Sequence, residues 1–308
     1  MFCVRVPATT ANLGPGFDAL GLALELYNYI EVEVGTGQGR VDIIIEGEGE
    51  GELSLGEDNL VYQAISRAFR ERALVPPKLY LHLVNNIPLA RGLGSSAAAI
   101  VGGLRAAQEL LPVPLSEDEL LTLACELEGH PDNVSAALLG GLIISCPGRE
   151  GKPHYLKARL PESLKLVIAV PELRLSTHDA RRVLPEMLPR RDAVFNVSRT
   201  ALLTASLLTN ELSVLALALE DRLHQPYRST LIPGMDAVFA AAHQAGALGV
   251  ALSGSGPSIV AFAQHNLDTI GKAMVEAFAS HGVKARYLLT APASHGAEVL
   301  PQLRLCTA

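Results

Sequence analysis

The chain has 308 residues, 49% hydrophobic and 19% charged, enough apolar surface to bury a large core and too much to remain disordered. Its net charge of −7 argues against nonspecific nucleic-acid binding, where a basic surface is expected, so an anionic ligand must be met by local donors and a metal. At this length two domains sharing a cleft are expected. None of the four cysteines, Cys3, Cys125, Cys146 and Cys306, stands in C-x-x-C spacing, so no zinc or redox motif is offered and a reducing cytoplasm is expected. Met1 to Pro7 holds no hydrophobic signal core, and apolar runs such as Ala136 to Cys146 are too short and glycine-broken to cross a bilayer. A cytoplasmic protein with no membrane and no nucleic-acid partner is expected.

Val4 and Val6 suggest a short strand, and Pro7 to Asp18 a polar loop rich in glycine and proline. Tyr29 to Val34 alternates with period two, as a half-buried strand does. A turn over 35–39, a strand over 41–46 and an acidic surface loop over 47–56 follow. Asn59 to Ala73 carries Leu60, Ala64, Ile65, Ala68 and Phe69 on one helical face, and Leu79 to Val84 reads as a strand running into Pro88. A helix is expected over 95–111, closed by Pro112 and Pro114. A second begins at Ser116 with Glu119 in capping-box spacing and runs out at Gly129. Val134 to Ser145 reads as helix then strand. The breaker-rich stretch from Cys146 to Pro161 places a boundary, giving units 1–160 and 161–308. Beyond it the pattern predicts a strand over 164–170, helices over 177–188 and 193–219 (the latter long, or broken near Thr209–Asn210), and a helix over 235–245. Strands over 247–252 and 258–263, a helix over 267–281 and a strand over 285–289 complete it. A β…ββαβ order with helices over one face is an α+β sandwich of ferredoxin-like type.

One stretch organises the rest: Pro88-Leu89-Ala90-Arg91-Gly92-Leu93-Gly94-Ser95-Ser96-Ala97-Ala98-Ala99. Gly92 and Gly94 let the backbone take positive φ and approach a ligand closely. Ser95 and Ser96 can cap the following helix, whose free amides and dipole make an anion site suited to a nucleotide triphosphate. No Lys-Ser or Lys-Thr pair makes it a Walker A loop, and it does not fit the dinucleotide fingerprint. Taken alone, a glycine-serine turn before an alanine-rich helix reads more readily as an ordinary capped junction than as a phosphate site.

Three glycine-rich segments far apart in the chain, Pro7 to Asp18, Pro88 to Ala99 and Ser253 to Ser258, resemble in order and chemistry the three motifs of the GHMP kinase superfamily. Within it, Pro7 to Asp18 is similar to the homoserine kinases, as are Glu128 to Asn133, Leu252 to Ser258, Ser176 to Pro185 with Arg181, and His224 to Arg228. Ala90 departs from the pattern, standing where the superfamily loop has glycine, with Arg91 beside it. The resemblance implies a two-domain α+β GHMP kinase fold: an N-terminal ribosomal protein S5 domain 2-like α/β domain and a C-terminal ferredoxin-like α+β sandwich. It implies ATP held by Pro88, Leu89, Ala90, Arg91, Gly92, Leu93, Gly94, Ser95, Ser96, Ala97 and Ala98, with Mg2+ at Glu128 and Ser95 or Ser96.

As substrate it implies L-homoserine, a zwitterion with a primary hydroxyl. The carboxylate calls for arginine, offered by Arg181 and Arg228, with neighbouring Arg182 read as a solvated helix residue. The ammonium calls for oxygens from Asn12, Asp18 and Asp132, and His130 and Asn133 complete the pocket. Asp132 is the candidate general base; the other reading has it hold the amino group while Asn133 orients the hydroxyl. The resemblance also admits phosphorylation of a mevalonate-like acid or a sugar, and a non-catalytic nucleotide-binding sensor. A homodimer is compatible with it.

Overall fold

A computed structural model describes residues 1–148 and 152–300. In chain order it contains β1 (Phe2–Ala11), β2 (Leu20–Gln38), β3 (Val41–Gly47), α1 (Leu60–Glu71), β4 (Pro77–Asn85), α2 (Ser95–Leu110), α3 (Glu117–Glu128), α4 (Pro131–Leu139), β5 (Leu142–Pro147) and β6 (Pro153–Ala158). Then come β7 (Lys165–Pro171), α5 (Thr177–Arg182), α6 (Arg190–Thr209), α7 (Leu215–Ala218), α8 (Gln225–Arg228), α9 (Met235–Gln244), β8 (Gly249–Leu252), β9 (Ile259–Ala263), α10 (Leu267–Ser280), β10 (Ala285–Thr290) and β11 (Glu298–Leu300).

The first sheet runs β11-β1-β2-β4-β3, with β5 paired to β2 and β6 to β5; among the described residues only β3 and β4 pair in parallel. Its register sets Val4, Ile30, Leu83 and Ile45 side by side across four strands, all buried on the face that α1 to α4 cover. The next row, Glu31, His82 and Ile44, points the other way, because side chains alternate faces along a strand. The α1 helix is capped by Asn59 and buries Val61, Ile65, Ala68 and Phe69 at helical spacing. In α3 the expected capping box forms, Ser116 accepting from the Glu119 amide and Glu119 from the Ser116 amide.

The second sheet, β10-β7-β9-β8, is antiparallel throughout and has the strand order of a βαββαβ ferredoxin-like unit. Both its faces are buried. Val167 and Ala169 pack with α9 and α10, whereas Leu166, Ile168, Val260 and Phe262 join the core that contains the first sheet, its helices and Leu203 and Leu207 of α6.

Several expected boundaries move. β1 does not stop at Val6 but passes through Pro7 with a register shift and pairs with β2 as far as Ala11, so the first glycine-rich segment begins as strand. β2 runs through most of the expected turn, to Gln38. The breaker-rich stretch after Cys146 contains β6, whose cross-strand bonds to β5 override its composition. Residues 149–151 of that stretch, and Cys306, lie outside the described residues. The helix expected over 177–188 ends at Arg182, and that over 193–219 breaks at Asn210, which takes the left-handed conformation of a helix C-cap. β11 pairs with β1, so the chain returns to the first sheet after completing the second.

Candidate active site

The three glycine-rich segments meet, each bonded to the other two. The Thr9 amide donates to the Leu93 carbonyl (3.1 Å), the Gly254 amide to the Ala11 carbonyl (3.1 Å), and the Ser253 hydroxyl to the Gly92 carbonyl (2.7 Å). Two glycines make this approach feasible. Gly92 and Gly94 have φ near 70°, and a Cβ at Gly92 would lie 2.2 Å from the Ser253 carbonyl oxygen, one at Gly94 1.9 Å from Thr9 Oγ1.

α2 begins at Ser95 with Gly94 as its N-cap, and no side chain caps it, contrary to the serine cap expected from the sequence. The Ala98 amide bonds the Gly94 carbonyl (2.8 Å), so those of Ser95, Ser96 and Ala97 precede the helical ladder and remain donors at its positive end. The Ser96 hydroxyl instead donates to Glu128 Oε1 (2.8 Å). Burial pushes the Glu128 carboxyl above its usual range, opposed by that hydrogen bond and by His130. Ala90 has φ 53°, the left-handed conformation that glycine takes without strain. Arg91 donates to the carbonyls of Pro171 (2.8 Å) and Leu89 (3.0 Å), tying the loop to the end of β7, and burial lowers its pKa.

The end of α3 and the start of α4 present the acidic and amide groups. Gly21 on β2 lets α4 come close, since a Cβ there would lie 2.0 Å from the Asp132 carbonyl oxygen. Asp132, 2% exposed, accepts at Oδ1 from the Asn133 amide (2.7 Å), Asn133 Nδ2 (3.2 Å) and His130 Nδ1 (2.9 Å). The bond to Asp132 raises the His130 pKa against desolvation. Asn133 Oδ1 accepts from the Thr9 hydroxyl (2.7 Å), so both ends of its amide are oriented.

Opposite stand the arginines. Arg181 makes a two-pronged pair with Asp18, Nη2 to Oδ1 at 2.6 Å and Nη1 to Oδ2 at 3.1 Å. Arg228, 1% exposed, donates through Nε to the Ala180 carbonyl (3.1 Å) and through Nη1 to the Gly254 carbonyl (3.1 Å). The Phe17 ring lies 5.4 and 5.3 Å from the two guanidinium carbons. Burial lowers the Arg228 pKa to about 10, Arg181 adding to the effect, yet the group stays cationic at neutral pH. Asn12 closes the ring, donating to the Gly254 carbonyl (2.9 Å) and accepting from the Asp18 amide (3.0 Å).

These groups line one cleft of about 480 Å³. The family model for the GHMP kinase N-terminal domain matches residues 59–141, and that for the GHMP kinase C-terminal domain matches residues 203–280. The chain is 50% identical over 297 residues to a homoserine kinase of Carboxydothermus hydrogenoformans, covering 96% of each chain, and 49% identical to one of Moorella thermoacetica, covering 96% of this chain and 99% of that one. The chain belongs to the homoserine kinases, a branch of the GHMP kinases. A crystal structure of homoserine kinase from Cytophaga hutchinsonii superposes with a TM-score of 0.88 at 32% identity, covering 97% of both chains. Mevalonate kinase, at 16% identity and a TM-score of 0.71, shares the fold.

In this kinase the expected residues Asn12, Asp18, Glu128, His130, Asp132, Asn133, Arg181 and Arg228 all line the cleft, together with Leu89 to Ser96 and Ala98 of the loop. Pro88 and Ala97 do not: both are buried, Ala97 within the core beneath the loop. The sequence reading missed Asn59 and Thr177, which also line the cleft. Asn59 stood out only as the residue before a helix, and that cap bond to the Val61 amide forms (3.0 Å). Its cleft position depends on α1 packing against α2, which no local pattern announces.

Proposed function

We propose that the cleft transfers the γ-phosphoryl group of ATP to the side-chain hydroxyl of L-homoserine, giving O-phospho-L-homoserine for threonine synthesis in the cytoplasm, with ADP leaving. ATP is the co-substrate of the GHMP kinases. The observation that carries the choice of acceptor is the Asp18–Arg181 pair beside Arg228: a carboxylate and two guanidinium groups within one pocket complement a zwitterion. A sugar or a mevalonate-like acid offers no ammonium for Asp18. Among the described residues no helix is long and apolar enough to cross a membrane.

Phosphoryl transfer asks the protein for positioning and charge neutralisation. The amides of α2 and the Gly92–Ser96 loop hold the phosphates. The donor set at Glu128 fits magnesium: one carboxylate and one hydroxyl, both hard oxygens, with a carboxyl whose burial favours a cation beside it. Magnesium keeps water and phosphate oxygens as its other ligands, so one carboxylate and one hydroxyl are a sufficient share from the protein. Bound there by Glu128 and Ser96, the ion would neutralise charge on the phosphate oxygens. Asp132 has Oδ1 committed to three donors, leaving Oδ2 for the substrate, and Asn133 orients the hydroxyl. Unit 1–160 thus supplies the phosphate side of the cleft and unit 161–308 the arginines, β11 crossing back.

The test is ADP release with L-homoserine, R-mevalonate and galactose, with phosphorus NMR of the product. Turnover of mevalonate or galactose but not homoserine would overturn the assignment, and ATP binding without transfer to any alcohol would favour a sensor. For Asp132→Asn, unchanged KM with lost turnover marks a base; a large rise in KM with residual turnover marks a substrate clamp.

A further inference from the structure

Arg228 is held by a group outside the phosphate and substrate machinery. His224 is 0% exposed and one helical turn away, with Nδ1 3.1 Å from Arg228 Nη1 and Nε2 2.7 Å from the Gly14 carbonyl oxygen. A carbonyl only accepts and a guanidinium only donates, so the hydrogen sits on Nε2 and the Nδ1 lone pair faces Arg228. The imidazole is therefore neutral. Burial, the largest influence, moves its pKa in the same direction, to about 4, and Arg228 adds to it, against the pull of Asp221 and Asp18.

The ring is itself fixed on several sides. Asp221, with a fully buried side chain, accepts at Oδ2 from the His224 amide (2.9 Å) and the Gln225 amide (2.6 Å), and at Oδ1 from Asn196 Nδ2 (2.7 Å) and the Leu223 amide (2.8 Å). The Phe17 ring stacks against the imidazole at 5.2 Å. Arg228 Nε is taken by the Ala180 carbonyl, and Nη1 is shared between His224 and the Gly254 carbonyl. The guanidinium is planar, so fixing those two nitrogens fixes the direction of the third, Nη2, and Arg228 lines the cleft.

We propose that His224 is a positioning residue which, as a neutral hydrogen-bond acceptor, aims the Arg228 guanidinium at the carboxylate of the amino-acid substrate. The inference rests on the assignment of that carboxylate to Arg228, and its test separates the two. His224→Asn can keep an acceptor oxygen where Nδ1 lies but loses the reach to Gly14. His224→Gln can keep the donor to Gly14 but loses the acceptor. The readout is the ratio of kcat/KM for L-homoserine to that for 2-amino-1,4-butanediol, which carries a hydroxymethyl group in place of the carboxylate.

The ratio should fall by about tenfold or more in His224→Gln, the scale of one charge-assisted hydrogen bond, and stay within about threefold of the parent in His224→Asn, with KM for ATP unchanged in both. Equal losses on the two substrates in both variants would make His224 merely structural and overturn the proposal. Arg228→Lys is the control for the underlying assignment: if the ratio survives it, the carboxylate is held elsewhere. Should neither histidine variant fold, nitrogen-15 NMR of the parent enzyme decides. A His224 protonated at Nδ1 at neutral pH, with or without homoserine, would overturn the proposal.

Discussion

Replacing Gly94 by alanine tests whether the phosphate loop is closed by contact with β1. The new Cβ would lie 1.9 Å from Thr9 Oγ1 and 3.2 Å from both Thr9 Cβ and Asn133 Oδ1. Thr9 is fully buried and stiff at χ1, so its hydroxyl can clear the methyl only by giving up its 2.7 Å bond to Asn133. The left-handed backbone at φ 69° costs a non-glycine residue about 1–2 kcal/mol, and the lost hydrogen bond about 0.5–1.5 kcal/mol. A destabilisation of roughly 2–3 kcal/mol is expected in urea unfolding. Thr9→Ala removes the same bond and leaves a methyl-sized gap, for about 1–2 kcal/mol. The double variant loses that bond once, so its destabilisation should fall short of the sum of the singles by about 1 kcal/mol. Both singles should also lower kcat, because the Asn133 amide loses one of its two anchors. Additivity within about 0.5 kcal/mol would show that Gly94 and Thr9 are not pressed together and would refute the closure.

At Ala90, with φ 53°, glycine relieves left-handed strain of about the size of its own entropic cost. Ala90→Gly should leave unfolding within about 0.5 kcal/mol of the parent, whereas Ala201→Gly, exposed near the middle of α6, should cost about 1 kcal/mol. Glu128→Gln should separate stability from activity. The urea midpoint should hold or rise, since burial disfavours the charged carboxyl, while turnover falls by about 10²-fold or more and its magnesium dependence shifts to higher concentration. Unaltered magnesium dependence would remove Glu128 from the metal site. His224 has a folded pKa near 4 against 6.5 for the free group, so the unfolded chain binds the extra proton first. Its part in stability is intact above pH 6.5 and is lost as pH falls from there toward 4, and His224→Asn should flatten that segment of a stability–pH profile.

The loop, the acidic turn and both arginines could be read from the sequence as parts of one site only together, because five ordered segments resemble one family's motifs; taken singly, a glycine-serine turn, a carboxylate at a helix end and an arginine in a polar stretch each have an ordinary structural reading. The capping box at Ser116 and the break at Asn210 were legible from their own local chemical signatures. What stayed hidden depends on partners distant in the chain. Pro7 argued for a loop, yet the sheet draws it into β1 beside Tyr27, and β6 exists because Leu142 to Cys146 offer it a ladder. Ser95 looked like a helix cap and is the first residue of the helix, because Gly94 takes the turn. His224 was visible only as a letter in a motif. Its bond to Gly14, 210 residues away, has no local trace.

The same bonds that close the fold also aim the chemistry. The Thr9 hydroxyl supports β1 against α4 and orients the amide of Asn133, and the Gly254 carbonyl receives both Asn12 from the first segment and Arg228 from α8. Loosening one segment therefore moves the groups of another. It also reconciles an acidic chain with an anionic nucleotide: the positive groups are helix amides and guanidiniums held by short contacts within one cleft, where a screened net charge of −7 has little reach. If Arg228 and Arg181 hold the amino acid as proposed, its binding should accordingly weaken with salt far less than diffusional steering would require, since Arg228 is shielded from solvent and Arg181 is paired with Asp18.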